Sequence, residues 1–318
     1  MPDLLAEPPL YVQRDLKRLT TALDQQIPAR ELEQNLLVAT WNIRAFGNVT
    51  KKWTSGSGDS PKRDYRSIRL IAEVLRRFDV IAVQEVKANL RALRYVLKVL
   101  GPDWGFLLTD VTLGDAGNDE RLAFVFDTRR VRPSGLACEL VIPEDEESIP
   151  ANAFQRQFVR TPYAASFLTY GHTFLLTTLH VYYGDAAEDR VQELEAIAHW
   201  MRNWAERERS WGHNFITLGD FNIDRVDDEL YQAFTSTGLV THPAHNELHR
   251  TLGQEVKHYD QVGWFSRQSD GVPYLQFELG QAGYFDFSEL VLGDLTRTQR
   301  TWRMSDHFPL WVEFRFPS

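Results

Sequence analysis

Only one cysteine, Cys138, stands among 318 residues. Without a second there is no intramolecular disulfide, so the fold needs no oxidising compartment, and there is no thiolate cluster for structural zinc. No stretch approaches the roughly 18 apolar residues of a membrane span, so no membrane insertion is expected. The N-terminus, MPDLLAEPPLYVQRDLKR, carries acids and prolines where a signal peptide has a basic start and an apolar core, and a cytoplasmic protein is the expectation. Positive charge is also short. There are 35 Lys and Arg against 44 Asp and Glu, a formal charge of −9, which argues against a nucleic-acid binder held by bulk charge alone. A divalent cation or a local basic strip can still supply what phosphate needs. Familiar nucleotide and hydrolase motifs are missing too: there is no GxxxxGK[ST] loop, no GxSxG elbow and no HExxH helix. Residues 220–229 are acid-rich but lack the spacing of a calcium loop.

The chain does hold the material for a large core. At 43% hydrophobic and 25% charged residues it has globular composition, and a chain this long buries about three-quarters of its unfolded surface. Residues 12–26 have helical spacing, with Leu16, Leu19 and Leu23 near one face. They read as an appended helix within an N-terminal extension over residues 1–35, ahead of one domain over residues 36–318. Short apolar runs at 36–41, 80–83, 122–126, 174–179, 215–218, 262–265 and 308–314 predict strands. Several lack strict alternation, as strands covered on both faces do. Residues 68–78, 90–100 and 188–204 have the length and period of covering helices. Layers of helix and sheet follow, with two packed sheets inside.

The ends of these runs carry the chemistry. LLVATWN stops at Asn42, DVIAVQE at Glu85, TFLLTTLH at His180, and NFITLGDFN at Asp220 and Asn222. Asp260 precedes QVGWF, and Asp306 with His307 precedes FPLWVEF. If four strands leave a sheet edge where two others enter, these side chains converge on one rim. Taken singly each has a bland explanation: Asp220 and Asn222 can close a turn, Asp306 can cap, and the histidines can be satisfied hydrogen-bonders. Turn formation does not require carboxylates, amides and imidazoles all at the same kind of strand terminus. Carboxylate and amide oxygens are hard ligands, which selects a Mg²⁺-like ion, with Mn²⁺ or Ca²⁺ as substitutes. A hard cation beside histidines and Asn suits hydrolysis of a phosphate ester.

Two segments stand out by charge. Residues 44–66 hold Arg44, Lys51, Lys52, Lys62, Arg63 and Arg66 with Trp53 among Gly and Ser, and read as a mobile basic loop. It either contacts a phosphate backbone, with the aromatic stacking on a base, or is a solvated surface loop. Arg297, Arg300 and Arg303 form a second basic run before Asp306, and residues 144–147 form an acidic one expected to be solvated.

The ordered set TWNI, QEVK, LHVYYG, GDFN, YDQV and SDHFP resembles the endonuclease/exonuclease/phosphatase superfamily, which includes the DNase I-like nucleases. The resemblance runs from about residue 36 to 314. It implies a four-layered α/β sandwich, two mixed sheets flanked by helices, hydrolysing phosphoester bonds with a divalent metal. It further implies Glu85 as principal metal ligand with Asn42 and Asp306 beside it. Asp220 and Asn222 would orient water and phosphate or hold a second ion, and His180 and His307 would flank the scissile phosphate. By similarity to the DNase I-like branch, Glu120 pairs with His180, Asp260 pairs with His307, and Arg160 meets the phosphate. His307 with Asp260 is placed on the attacking side and His180 with Glu120 on the leaving side, with Asp220 as the competing base. QEVK is similar to the abasic-site repair nucleases. Those carry Tyr and Asn where this chain has LHVYYG, so general cleavage is expected over lesion-specific repair.

The expected activity is therefore that of a metal-dependent nuclease with nucleic acid, DNA or also RNA, as substrate. Two alternatives remain open: a phosphatase or phosphodiesterase of inositol phosphates or lipid head groups, and an inactive binding protein of the same fold. Oligomeric state is not legible.

Overall fold

Why the strands show so little alternation becomes clear from what covers them. The computed structural model describes residues 2–112, 118–140, 160–184, 187–207, 214–247, 251–252, 257–266 and 274–317. The acidic run at 144–147 lies outside them. In chain order the strands are β1 (Asn35–Phe46), β2 (Val80–Lys87), β3 (Trp104–Leu108), β4 (Glu120–Asp127), β5 (Arg132–Glu139) and β6 (Tyr163–Thr169). They continue as β7 (His172–His180), β8 (Phe215–Asp220), β9 (Leu239–Thr241), β10 (Asp260–Phe265), β11 (Glu278–Tyr284) and β12 (Leu310–Arg315). The helices are α1 (Leu10–Gln26), α2 (Tyr65–Leu75), α3 (Arg91–Leu100), α4 (Ala187–Arg207), α5 (Glu229–Thr235) and α6 (Arg297–Thr301).

Two six-stranded sheets result, ordered β11-β12-β1-β2-β4-β3 and β5-β6-β7-β8-β10-β9. Each is mixed: β1–β2 and β7–β8 pair in parallel, and the other neighbours are antiparallel. Alternate residues of one strand serve two cores. Leu36 and Val38 of β1 face the layer between the sheets with Phe124, Leu218 and Phe314, while Leu37, Ala39 and Trp41 join Ile68, Ile71 and Leu93 under α2 and α3. On the far side Leu175, Leu179 and Phe215 pack with Leu194, Ile197 and Met201 of α4 and Phe234 of α5. Both faces of the central strands are thus apolar, and the period of two disappears.

Five strands are absent from the sequence expectation: β3, β5, β6, β9 and β11. Four of these are the sheet edges, and the edge strand β5 alternates between exposed and half-buried residues along its whole length. A half-solvated edge needs no apolar run, so hydrophobicity does not reveal it.

Helix α1 covers the core. Val12, Leu19, Ala22 and Leu23 are buried, and the buried Asp15 accepts from the Arg66 guanidinium of α2 at 2.6 and 2.8 Å. Helix α2 begins with a capping box in which Asp64 and Ser67 satisfy each other's backbone N–H. In the basic segment 44–66 several cations have partners within the protein. Buried Arg63 donates to the carbonyls of Ala45, Arg44, Met304 and Arg303 at 2.6–3.1 Å. Lys62 is spent on the carbonyls of Gly56, Ser57 and Asp59, Lys52 on Asp59, and Trp53 packs edge-on against Tyr65. Arg63 and Lys62 bind backbone because a gly-ser segment folded over the core leaves carbonyls that need donors, while Lys52 pairs with the Asp59 carboxylate.

Candidate active site

The backbone is bent where the two sheets meet. Parallel β1 and β2 end at the same edge, with register breaks between Asn42 and Phe46 and between Val83 and Val86. Inside these bulges Ala45 has φ 46° and Glu85 φ 59°, a region costly for residues other than glycine. The Ala45 N–H donates to Glu85 Oε2 at 2.7 Å, which fixes the carboxylate against β1. In the second sheet, parallel pairing sets His180 beside Asp220, and antiparallel pairing sets Asp220 beside Asp260. Gly219 makes that row possible. It sits at φ 154°, and a Cβ there would lie 2.2 Å from the Leu179 carbonyl oxygen.

Three contacts then join one sheet's residues to the other's. Asn42 Nδ2 donates to Asp220 Oδ2 at 2.9 Å, His180 Nδ1 lies 3.0 Å from Glu120 Oε2, and His307 Nδ1 lies 2.8 Å from Asp260 Oδ2. The His180–Glu120 contact falls outside hydrogen-bond geometry, so it acts through charge more than direction. Asp220 Oδ2 is the centre of the arrangement, 3.7 Å from His180 Nε2 and 3.8 Å from His307 Nε2. Two imidazoles therefore flank one carboxylate oxygen, and each has a second carboxylate behind it. Such backing carboxylates fix ring orientation and tautomer.

Charge is strongly coupled across this rim. Burial raises Asp220's carboxyl, but His307, His180, the Asn42 amide and the Asn222 N–H outweigh it and hold it below the ordinary value. Glu120 is likewise raised by burial, yet His180, Arg160 and Lys87 bring it down to about 2. For His307, burial favours the neutral ring, and Asp260, Asp220 and Asp306 overcome it to lift the imidazole to about 10. Burial lowers the Arg63 guanidinium to about 10 against the opposing field of Glu85, Asp64 and Asp306, so it stays charged at neutral pH.

The remaining candidates sit as follows. Asn222, at φ 53°, gives its N–H to Asp220 Oδ1 at 3.0 Å and its Nδ2 to the Val181 carbonyl at 2.6 Å. Arg160 Nε lies 3.3 Å from Glu120 and its Nη1 donates to the His180 carbonyl. Asp306 pairs with Arg44 at 3.2 Å, one residue along β1 from the amide that holds Glu85. Among the described residues no group of three or more His, Cys, Asp or Glu is set to hold an ion; the candidate set here is two carboxylates and an amide. The amide fits a hard cation for a definite reason. A charged carboxylate can only accept, so Asn42 must turn its nitrogen to Asp220, and its buried Oδ1 is left without a hydrogen-bond partner. Asn42 lies on β1, the strand whose Ala45 amide holds Glu85 and whose Arg44 pairs with Asp306, and its orphaned buried oxygen is a ligand oxygen of the type Mg²⁺ takes.

Sequence reasoning missed the residues that brace this rim. Ser305 Oγ donates to the Asn42 carbonyl at 2.5 Å and accepts from the backbone N–H groups of Arg44 and His307. Lys87 reaches Glu120 Oε1 at 2.9 Å. Trp41 donates its indole N–H to the His307 carbonyl at 2.9 Å, and Gln84 ties Thr40 of β1 to Thr178 of β7. Their only sequence signal was position, next to Asn42, Glu85 and Asp306.

The chain is 28% identical over 293 residues to a protein named deoxyribonuclease from Thioalkalivibrio sp. (strain K90mix), covering 88% of this chain and 71% of that one. A mannosyl-6-phosphatase of Bacteroides thetaiotaomicron VPI-5482 matches in structure with TM-score 0.57 at 20% identity, over 88% of this chain and 100% of that one. D. rerio TDP2 complexed with single strand DNA product matches with TM-score 0.58 at 14% identity, over 89% and 99%. No described helix is long and apolar enough to cross a membrane. Residues 39–268 match the sequence pattern of the endonuclease/exonuclease/phosphatase family, and with two mixed six-stranded sheets between helices the chain belongs to that family of phosphoesterases.

Proposed function

We propose that the protein is a divalent-metal-dependent nuclease hydrolysing DNA phosphodiester bonds, with residues 36–318 as the catalytic unit and residues 1–35 as its brace. One observation carries the reading: Asp220 Oδ2 lies between two imidazole Nε2 atoms, each ring backed by its own carboxylate. In-line displacement at phosphorus needs a proton taken from water on one side and given to the leaving oxygen on the other. His180 and His307 supply one group for each side, and Asp220 holds both rings toward the phosphate. Glu85, Asn42 Oδ1 and Asp306 would hold the Mg²⁺-type ion, which when bound offsets charge on the phosphoryl oxygens. Arg160 approaches the same phosphate from behind His180. The similarity to a protein named deoxyribonuclease supports DNA as the substrate.

Supercoiled plasmid incubated with Mg²⁺ or Mn²⁺ should be nicked, and chelation or Glu85→Gln should abolish nicking. Intact plasmid under every metal, beside release of phosphate from a sugar phosphate or phosphoinositide, would discard DNA as substrate in favour of a phosphatase.

A further inference from the structure

Two large aromatic side chains stand out of the surface immediately beside the rim. Trp302 is 44% exposed and Tyr183 is 52% exposed. Each rests on an arginine that is itself tied to the site. The Arg44 guanidinium lies 3.8 Å from the Trp302 ring centre while pairing with Asp306 at 3.2 Å and donating to Thr301. The Arg190 guanidinium lies 4.5 Å from the Tyr183 ring centre while donating to the Asn222 carbonyl and pairing with Asp224. Tyr183 also meets Tyr259 edge-on at 6.2 Å, and Tyr259 in turn lies 5.8 Å from the His307 ring.

Exposing a Trp and a Tyr to water is unfavourable, and nothing in the packing of the core requires it. A guanidinium beneath each ring fixes its orientation by cation–π attraction and leaves the second face open. Both arginines are anchored by hydrogen bonds, so each ring is held flat at one residue's remove from Asp306 or His307. A flat, oriented aromatic face beside a phosphate site is what a nucleobase stacks on. The loop aromatic Trp53 is not available for this, since it packs against Tyr65.

We infer that Trp302 and Tyr183 are base-stacking platforms that bind the nucleobases next to the scissile phosphate, and that they select single-stranded or locally unstacked DNA. In a closed duplex the base faces are covered by their neighbours, so a platform gains nothing until a base is turned out. The inference rests on the nuclease reading above and names its substrate class.

The test uses a hexanucleotide with one phosphodiester between methylphosphonate linkages, in a normal form and with the bases flanking the phosphodiester removed. For the wild type, removing a base should raise KM about 10-fold per platform, and single strands should be cleaved in preference to duplex. Trp302→Ala and Tyr183→Ala should raise KM by the same factor on the normal strand, hold kcat within about two-fold, and show no further loss on the abasic strand. Trp302→Phe and Tyr183→Phe should restore most of the binding, which a general structural defect would not allow. Alanine variants equal to the wild type on the normal strand, or with KM raised over the wild type by the same factor on the abasic strand as on the normal one, would overturn the platforms while leaving the nuclease intact. A wild type that cleaves no oligonucleotide but hydrolyses a phosphomonoester removes the nuclease reading itself, and the platforms with it.

Discussion

The two histidine–carboxylate pairs look alike in distance and differ in their surroundings. Around Glu120 the charged neighbours are the Arg160 guanidinium and the Lys87 ammonium, which with His180 bring one carboxylate down to about 2. Around His307 the neighbours are anionic: Asp260, Asp220 and Asp306 lift one imidazole to about 10. One pair carries a fixed anion beside Arg160 and Lys87, and the other a ring held as a cation among carboxylates. Placed side by side at the shared oxygen of Asp220, they polarise the rim from one end to the other.

Removing either ring is the most severe way to break the comparison. His180→Ala and His307→Ala should each lower kcat/KM about 10²- to 10⁴-fold in steady-state DNA cleavage. A nitrophenyl ester of a nucleotide sharpens it, because that leaving group needs no proton. If His180 serves the leaving side, His180→Ala should recover on the ester and His307→Ala should not; the reverse pattern exchanges the assignments.

Displacing the shared oxygen should perturb both pairs together. Gly219→Ala places a Cβ 2.2 Å from the Leu179 carbonyl at φ 154°, and we expect a loss of about 2–3 kcal/mol with a lowered melting temperature. A variant as stable and active as the wild type would show that the β7–β8 approach is not needed to set Asp220.

The pairs should also respond oppositely to pH, measured on chelated protein by denaturant unfolding. Glu120 has a lowered pKa, so its contribution is present above about 4.5 and lost as pH falls toward about 2. The stability gap between wild type and Glu120→Gln, on the order of 3 kcal/mol at most, should close across that acid window. His307 has a raised pKa, so its contribution is full below about 6.5 and lost as pH rises through about 10. The gap between wild type and His307→Gln should close on the alkaline side. Gaps that close in the same direction would refute the charge contrast.

The smallest effect belongs to Lys87→Met. Lys87 is partly exposed and is one of three groups that lower Glu120, so its loss should cost under about 1 kcal/mol and shrink further in high salt.

Much of this site was legible before any coordinates. Asn42, Glu85, His180, Asp220 and Asp260 end or begin apolar runs, and a strand terminus fixes where a side chain emerges. The layered architecture followed from the same runs. The basic segment misled because charge in a sequence does not say whom it serves: Arg63 and Lys62 are satisfied by neighbouring carbonyls rather than by a ligand. Edge strands β3, β5, β9 and β11 escaped because few of their residues are fully buried.

By itself the sequence determined which strands end in carboxylates, amides and imidazoles, because apolar runs and their polar ends are local properties. Tertiary structure alone decided which residue meets which. The pairing of Asn42 with Asp220, of Glu120 with His180 and of Asp260 with His307 joins two sheets across 47 to 178 residues of chain. Contacts of that separation depend on how the sheets stack, and no local pattern encodes the stacking.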